Sequence, residues 1–224
     1  IPMAALVLAG FGQTFSEKAY PDLSTQLKDF GCGIEMSLLA AIPKGSGLGT
    51  SSNLAATVLG TLSNFCGLKW DKHDIAYRTL ILEQMLTTGG VWLDQYGGIF
   101  EGLKLLESEA GIQQRPGIKW LPDKLFTRRE TKEMMLLYYT GVTRVAHDIL
   151  GEIVKGMFLN SSRHLEIFTE MKKHSRDTFH TILNNDYEGL AGKVAYSWEL
   201  NQRLDAGTNP PVIQQIISSI EDYL

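Results

Sequence analysis

The sequence predicts an α+β fold, with a mixed α/β part in its N-terminal half and a mostly helical part after residue 142. Three observations carry that prediction. Apolar residues alternate at Ile34, Met36, Leu38 and Ala40, the pattern of a strand with one buried face. A glycine-rich stretch, PKGSGLGTSS, follows directly and runs into a long apolar helix pattern. Beyond residue 142 helical spacing dominates, with apolar residues at 149/153/157, 165/168/171 and 190/194/198.

The elements follow in order. MAALVLAGF is short and rich in Ala and Leu, so a buried helical turn is expected rather than a strand. LSTQLKDFG sets Leu23, Leu27 and Phe30 at helical spacing, and Gly31 supplies the stop. Residues 33–43 form the expected strand, ended by Pro43. Residues 53–65 read as a helix with Leu54, Val58, Leu62 and Phe65 on its apolar face. A second helix lies in GLKWDKHDIAYRTLILEQML, where Asp71 suits the N-cap and Asp74 favours the positive helix end. GGIFEGLKLLES reads as a strand, PGIKWLP as a Pro-bounded turn or edge, and EMMLLYYTG as a buried strand. DAGTNPP then breaks the helical run before a last helix over 212–224. Proline and glycine cluster near 113–122, which suggests a boundary between domains of residues 1–114 and 115–224.

Composition narrows the functional classes. The 224 residues are 44% hydrophobic and 21% charged, with a net charge of -4. Lys and Arg form no run, so neither nucleic acid nor an anionic membrane surface is an expected partner. No apolar run approaches the roughly 18–20 residues of a membrane span. The opening IPMAALVLAGFGQ lacks the basic start of an export signal, so a cytoplasmic protein is expected. Cys32 and Cys66 fit reduced, partly buried thiols. The five histidines lack metal-ligand spacing and read as structural or surface residues.

The glycine loop carries a conformational cost, since ordering Gly costs about 0.5–1 kcal/mol relative to Ala. Such a cluster is expected where backbone must approach a ligand closely. Gly45, Gly47 and Gly49 let the chain curl and present N–H groups at a helix N-terminus, which attracts phosphate. Thr50, Ser51 and Ser52 add hydroxyls able to bond phosphate oxygens or Mg²⁺. Two familiar phosphate loops do not fit. The P-loop needs Gly-Lys-Ser/Thr, which is absent, and Lys44 precedes the glycines. The dinucleotide fingerprint needs Gly-x-Gly-x-x-Gly and then a second strand, whereas a second helix follows here.

Phosphoryl transfer also needs Mg²⁺ and a group that orients the attacking hydroxyl. Glu83 shares a helix face with Ala76, Leu80 and Thr87. A carboxylate in that stripe is costly unless paired or bound to metal, and the alternative is an exposed Glu at the helix edge. Asp94 follows eleven residues later in TTGGVWLDQYGG. It is either a turn Asp or the acceptor of a substrate hydroxyl proton.

The pattern Pro-x-x-x-Gly-Leu-Gly-Ser/Thr-Ser, together with Glu83 and Asp94 in order, resembles the GHMP small-molecule kinases. The resemblance implies that Gly45, Ser46, Gly47, Leu48, Gly49, Thr50, Ser51 and Ser52 embrace the triphosphate of ATP. It implies that Ser51 and Glu83 hold Mg²⁺ and that Asp94 is catalytic, facing the hydroxyl to be phosphorylated. Thr50 stands where the family more often has Ser and keeps the hydroxyl. TTGGVWLDQYGGIFEGLKLLE, LLYYTGVTR, MFLNSS and LDAGTNPP extend the resemblance to sugar-1-kinases of this family over nearly the whole chain. A small-molecule sugar is then the expected substrate. A heptose or arabinose kinase and a non-catalytic nucleotide-binding module are the alternatives. Arg144 in TGVTR either touches substrate or pairs with an acid. The family's first motif and its glycine-rich third motif are not found. The expectation is therefore a partial GHMP kinase fold from a longer bifunctional chain. Such a piece is expected to have weak or no activity alone, and its exposed sheet edge would favour self-association.

Overall fold

The computed structural model describes residues 1–42, 45–86, 92–111, 115–141 and 146–221. They divide into two compact units, Ile1–Glu101 and Gly102–Leu224. Among the described residues, no helix is long and apolar enough to cross a membrane.

The first unit is helical, and its helix ends are written in the sequence. Helix α1 (Pro2–Leu8) starts on a proline, whose missing N–H is no loss in a first turn. Helix α2 (Leu23–Phe30) begins where the Asp22 carboxylate accepts the Thr25 N–H at 2.7 Å. It stops at Gly31 in the left-handed conformation, φ +95°. Helix α3 (Thr50–Cys66) runs between two left-handed glycines, Gly49 and Gly67. Helix α4 (Lys72–Met85) opens with a capping box: Asp71 accepts from the Asp74 N–H, and Asp74 from the Asp71 N–H. Helix α5 (Trp92–Ile99) was not expected, because its glycines break the helical pattern.

Helix α3 packs against α1, α4 and α5. The core joins Ala4, Ala5 and Leu8 of α1, Ala55, Val58, Leu59 and Leu62 of α3, and Leu82 of α4. The expected strand over 33–43 does not form among the described residues. Ile34 and Met36 do pack half-buried on the core, as the alternation predicts. Further on the pattern loses its surface, and Leu39 is 92% exposed. A strand exists only through a ladder shared with a neighbour, and no described segment supplies one. Pro43 lies outside the described residues.

In the second unit β1 (Lys104–Glu107) and β2 (Gly117–Trp120) form an antiparallel hairpin, with Lys104 opposite Trp120 and Glu107 opposite Gly117. This hairpin spans the proline- and glycine-rich stretch near 113–122. The strand expected in GGIFEGLKLLES is thus confined to its second half, and PGIKWLP supplies an edge strand. Two short helices follow, α6 (Lys124–Thr127) and α7 (Arg129–Glu133). The buried strand expected in EMMLLYYTG is not observed. Residues 135–139 carry no regular secondary structure, and Leu136 and Leu137 are 90% and 85% exposed.

Helices then dominate as expected: α8 (Ala146–Phe158), α9 (Ser162–Leu183), α10 (Tyr187–Leu204), a 3₁₀ turn at Ala206–Thr208 and α11 (Pro211–Ile220). Helices α9 and α10 pair with polar contacts across them. His174 Nε2 donates to the Lys193 carbonyl at 3.0 Å and lies 2.8 Å from Ser197 Oγ, a structural role. Glu170 accepts from the Tyr196 hydroxyl and, at 2.7 Å, from Arg203. Both cysteines are free; Cys66 is half-buried and Cys32 exposed. The described architecture is mostly helical with one small sheet, within the α+β class.

Candidate active site

The site begins with backbone geometry. Gly45, Gly47 and Gly49 all have positive φ, at +74°, +76° and +63°. A side-chain-bearing residue pays about 1–2 kcal/mol for each such conformation. The glycines therefore set the loop's path, and Gly49 becomes the N-cap of α3. It has no side chain to bond the N–H groups of the first turn, so these groups and the helix dipole face the loop. Two contacts draw the loop together. Asn53 Nδ2 donates to the Leu48 carbonyl at 3.4 Å, and Ser46 Oγ lies 3.4 Å from Thr50 Oγ1. Anions bind well at such an end.

Glu83 is 4% exposed, which excludes an exposed residue at the helix edge. It sits in the last turn of α4, the helix end that disfavours an anion. The compensation comes from neighbouring elements. Ser52 Oγ, in the first turn of α3, donates to Glu83 Oε1 at 2.6 Å. Gln95 Nε2, from α5, donates to Glu83 Oε2. The hydroxyl that meets Glu83 is thus that of Ser52. Ser51, one position earlier, is exposed on the same turn. Thr87, assigned to the same face of α4, lies outside the described residues, as does Arg144.

Asp94 stands in the first turn of α5, the favourable end for an anion. A Cβ built on Gly49 would lie 3.6 Å from Asp94 Oδ1, so the carboxylate borders the end of the loop. Much of the residue is open to solvent. Even so, the protein atoms packed around the carboxyl desolvate it and raise its pKa above the ordinary aspartate value. Helix α5 is fixed by aromatic contacts at i, i+4 spacing. Trp92 meets Tyr96 edge-on at 5.6 Å, and Tyr96 stacks on Phe100 at 5.2 Å. The Tyr96 hydroxyl also lies 3.4 Å from His73 Nδ1 on α4. Gly98 brings α5 against α3: a Cβ there would fall 1.7 Å from Asn53 Oδ1.

The structure therefore brings Ser52, Glu83 and Gln95 into one hydrogen-bonded set and seats Asp94 beside Gly49. Sequence reasoning missed Gln95, which lies twelve residues from Glu83 and meets it only through tertiary packing. Gly98 did carry a signal, as one of the glycines flanking Asp94 in TTGGVWLDQYGG. Among the described residues, no group of three or more His, Cys, Asp or Glu could hold a metal ion. Mg²⁺ needs no such cage, because it takes one or two carboxylates and completes its shell with phosphates and water. The donor set suits it. Each carboxylate oxygen of Glu83 has two lone-pair positions, and the Ser51 hydroxyl is exposed on the first turn of α3.

Comparison with known proteins gives the chain's relatives. Residues 15–102 match the family described as GHMP kinases N terminal domain. The chain is 58% identical over 223 residues to the L-fucokinase/L-fucose-1-P guanylyltransferase of Bacteroides fragilis, covering 100% of this chain and 24% of that protein. It is 30% identical over 197 residues to the bifunctional fucokinase/GDP-fucose pyrophosphorylase of Arabidopsis thaliana, covering 85% of this chain and 18% of that one. It is 28% identical over 182 residues to the D-glycero-alpha-D-manno-heptose 7-phosphate kinase of Campylobacter jejuni, covering 80% of this chain and 50% of that kinase. The chain thus spans about a quarter or less of the two bifunctional relatives' length. No solved structure matches the chain at a significant level.

Proposed function

We propose, from the premise that residues 15–102 are a GHMP kinase N-terminal domain, that the protein is an ATP-dependent sugar 1-kinase acting on L-fucose. The product is L-fucose 1-phosphate. The observation that supports this reading most is the pairing of a buried Glu83 with Ser52 at the glycine-capped start of α3, with Asp94 beside the same loop. The names of the two bifunctional relatives supply the sugar.

Backbone N–H groups of residues 45–52 bond the nucleotide's phosphate oxygens. Ser51 and Glu83 would hold Mg²⁺, with Ser52 fixing the Glu83 carboxylate. Bound there, the ion would supply charge to neutralise the phosphates. Asp94 orients the anomeric hydroxyl and accepts its proton as the γ-phosphoryl group moves to the sugar oxygen, leaving ADP. Most of the rate gain comes from positioning and charge stabilisation. Residues 1–114 and 115–224 are read as parts of the kinase's N- and C-terminal-type domains, within a longer bifunctional, cytoplasmic protein.

The test is ADP release by the full-length protein with Mg²⁺ and ATP. L-fucose is compared with D-mannoheptose 7-phosphate, L-arabinose and D-galactose. Turnover confined to L-fucose is expected. Turnover on another sugar rejects the substrate and keeps the kinase. No turnover on any sugar favours a nucleotide-binding module.

A further inference from the structure

We infer that Gln95 is a positioning residue that sets the two carboxylates of the site together, an inference that rests on the kinase reading above. Gln95 is fully buried, and a buried amide is costly unless it is hydrogen-bonded. Its Nε2 donates to Glu83 Oε2, while Ser52 Oγ donates to Glu83 Oε1 at 2.6 Å. The two oxygens of Glu83 are thus held from two different helices, α3 and α5. A carboxylate's terminal torsion is soft, and donors on both oxygens limit its turning. Two donors on opposite oxygens fix its plane.

Gln95 also acts through the helix it sits on. Successive residues of an α-helix point about 100° apart. The rotation of α5 that turns Gln95 inward to Glu83 therefore carries Asp94 to the edge of Gly49. Helix α5 is short and contains Gly97 and Gly98, so its own backbone preference is weak. A specific bond to α4 is what such a helix needs for a defined rotation.

The remaining atom fits a site role better than a stabilising one. Gln95 Oε1 is buried without a hydrogen-bond partner among the described residues. A residue selected for stability alone would not keep an unmet acceptor in the interior. Turning the amide over would set that oxygen against the Glu83 carboxylate, so the orientation with Nε2 on Glu83 is the one retained.

The experiment uses the full-length protein with Gln95→Met, which keeps the side chain's size and removes the donor. Mn²⁺ binding in the presence of a non-hydrolysable ATP analogue is measured by electron paramagnetic resonance, beside kcat and KM for L-fucose. Mn²⁺ affinity should fall about 10–100-fold, as expected when a group orienting a metal ligand is lost. Nucleotide affinity without metal should hold. The value of kcat should fall while KM for the sugar stays. Combined with Ser52→Ala, the loss of Mn²⁺ affinity should be smaller than the product of the single losses, because both residues act on one carboxylate. Unchanged Mn²⁺ affinity in Gln95→Met, or losses that multiply, overturns the inference. Should Gln95→Met not fold, Gln95→Asn, too short to reach Glu83, is read in the same way. Absence of sugar turnover in the unsubstituted protein removes the kinase reading alone, and the Mn²⁺ losses still decide the role of Gln95.

Discussion

Glu83 and Asp94 are eleven residues apart and live in different surroundings. Glu83 is buried with its oxygens held by Ser52 and Gln95. Asp94 stays in reach of solvent and of the loop, and packing around its carboxyl raises its pKa. Two consequences follow from that shift. In the proposed mechanism the ionised form accepts the proton, so the acid limb of kcat/KM should lie above the ordinary aspartate value of 3.8. For stability, the folded chain binds this proton more tightly than the unfolded chain does. Stability is therefore lost as pH rises from 3.8 through the raised value, and the loss persists at neutral pH. Asp94→Asn removes that penalty. Its Tm at pH 7 should equal or exceed that of the unsubstituted protein, while turnover falls about 10²–10⁴-fold. A lower Tm together with retained turnover would assign Asp94 a structural role.

At the scale of elements, the helix α3 N-terminus depends on left-handed glycines. Gly49→Ala should destabilise by about 1–2 kcal/mol through its φ of +63°. The added Cβ would meet only ordinary contact, 3.6 Å from Asp94 Oδ1, but the strained N-cap would shift the N–H groups that face the loop, so KM for ATP should rise as well; denaturant unfolding and nucleotide titration check the pair. Helices were legible where chemistry is local. Gly31 marked the end of α2, and Asp71 and Asp74 the start of α4, because caps bond within a few residues. Helix α5 was not legible, since its glycines weaken the local pattern and His73 of α4 holds Tyr96 and Phe100 from another element. Strands failed for a related reason. Ile34 and Met36 showed the right period, but a ladder needs a partner that a period cannot supply. The loop and both carboxylates could be named from type and spacing. Which hydroxyl meets Glu83, and that an amide meets its other oxygen, could not, because both contacts arise when α3, α4 and α5 pack.

At the scale of the whole molecule, the two units differ in how completely they bury apolar surface. The first wraps α3 with α1, α4 and α5 around a continuous core. The second exposes the apolar run 135–139, including Leu136 and Leu137, outside any described strand. Such an unpaired run is a template for association. The 224-residue chain alone should self-associate, and Leu137→Lys should shift its sedimentation toward the monomer. An unchanged profile would free this segment of responsibility. The central claim concerns the first unit: the glycine-capped start of α3 and Glu83 together hold the metal-bound nucleotide. The most direct measurement is ADP release with L-fucose across a range of Mg²⁺ concentrations, for the full-length protein and for Glu83→Gln. Mg²⁺-dependent turnover that falls about 10²–10³-fold in Glu83→Gln is expected. Equal turnover in the two proteins, or turnover independent of Mg²⁺, would contradict it.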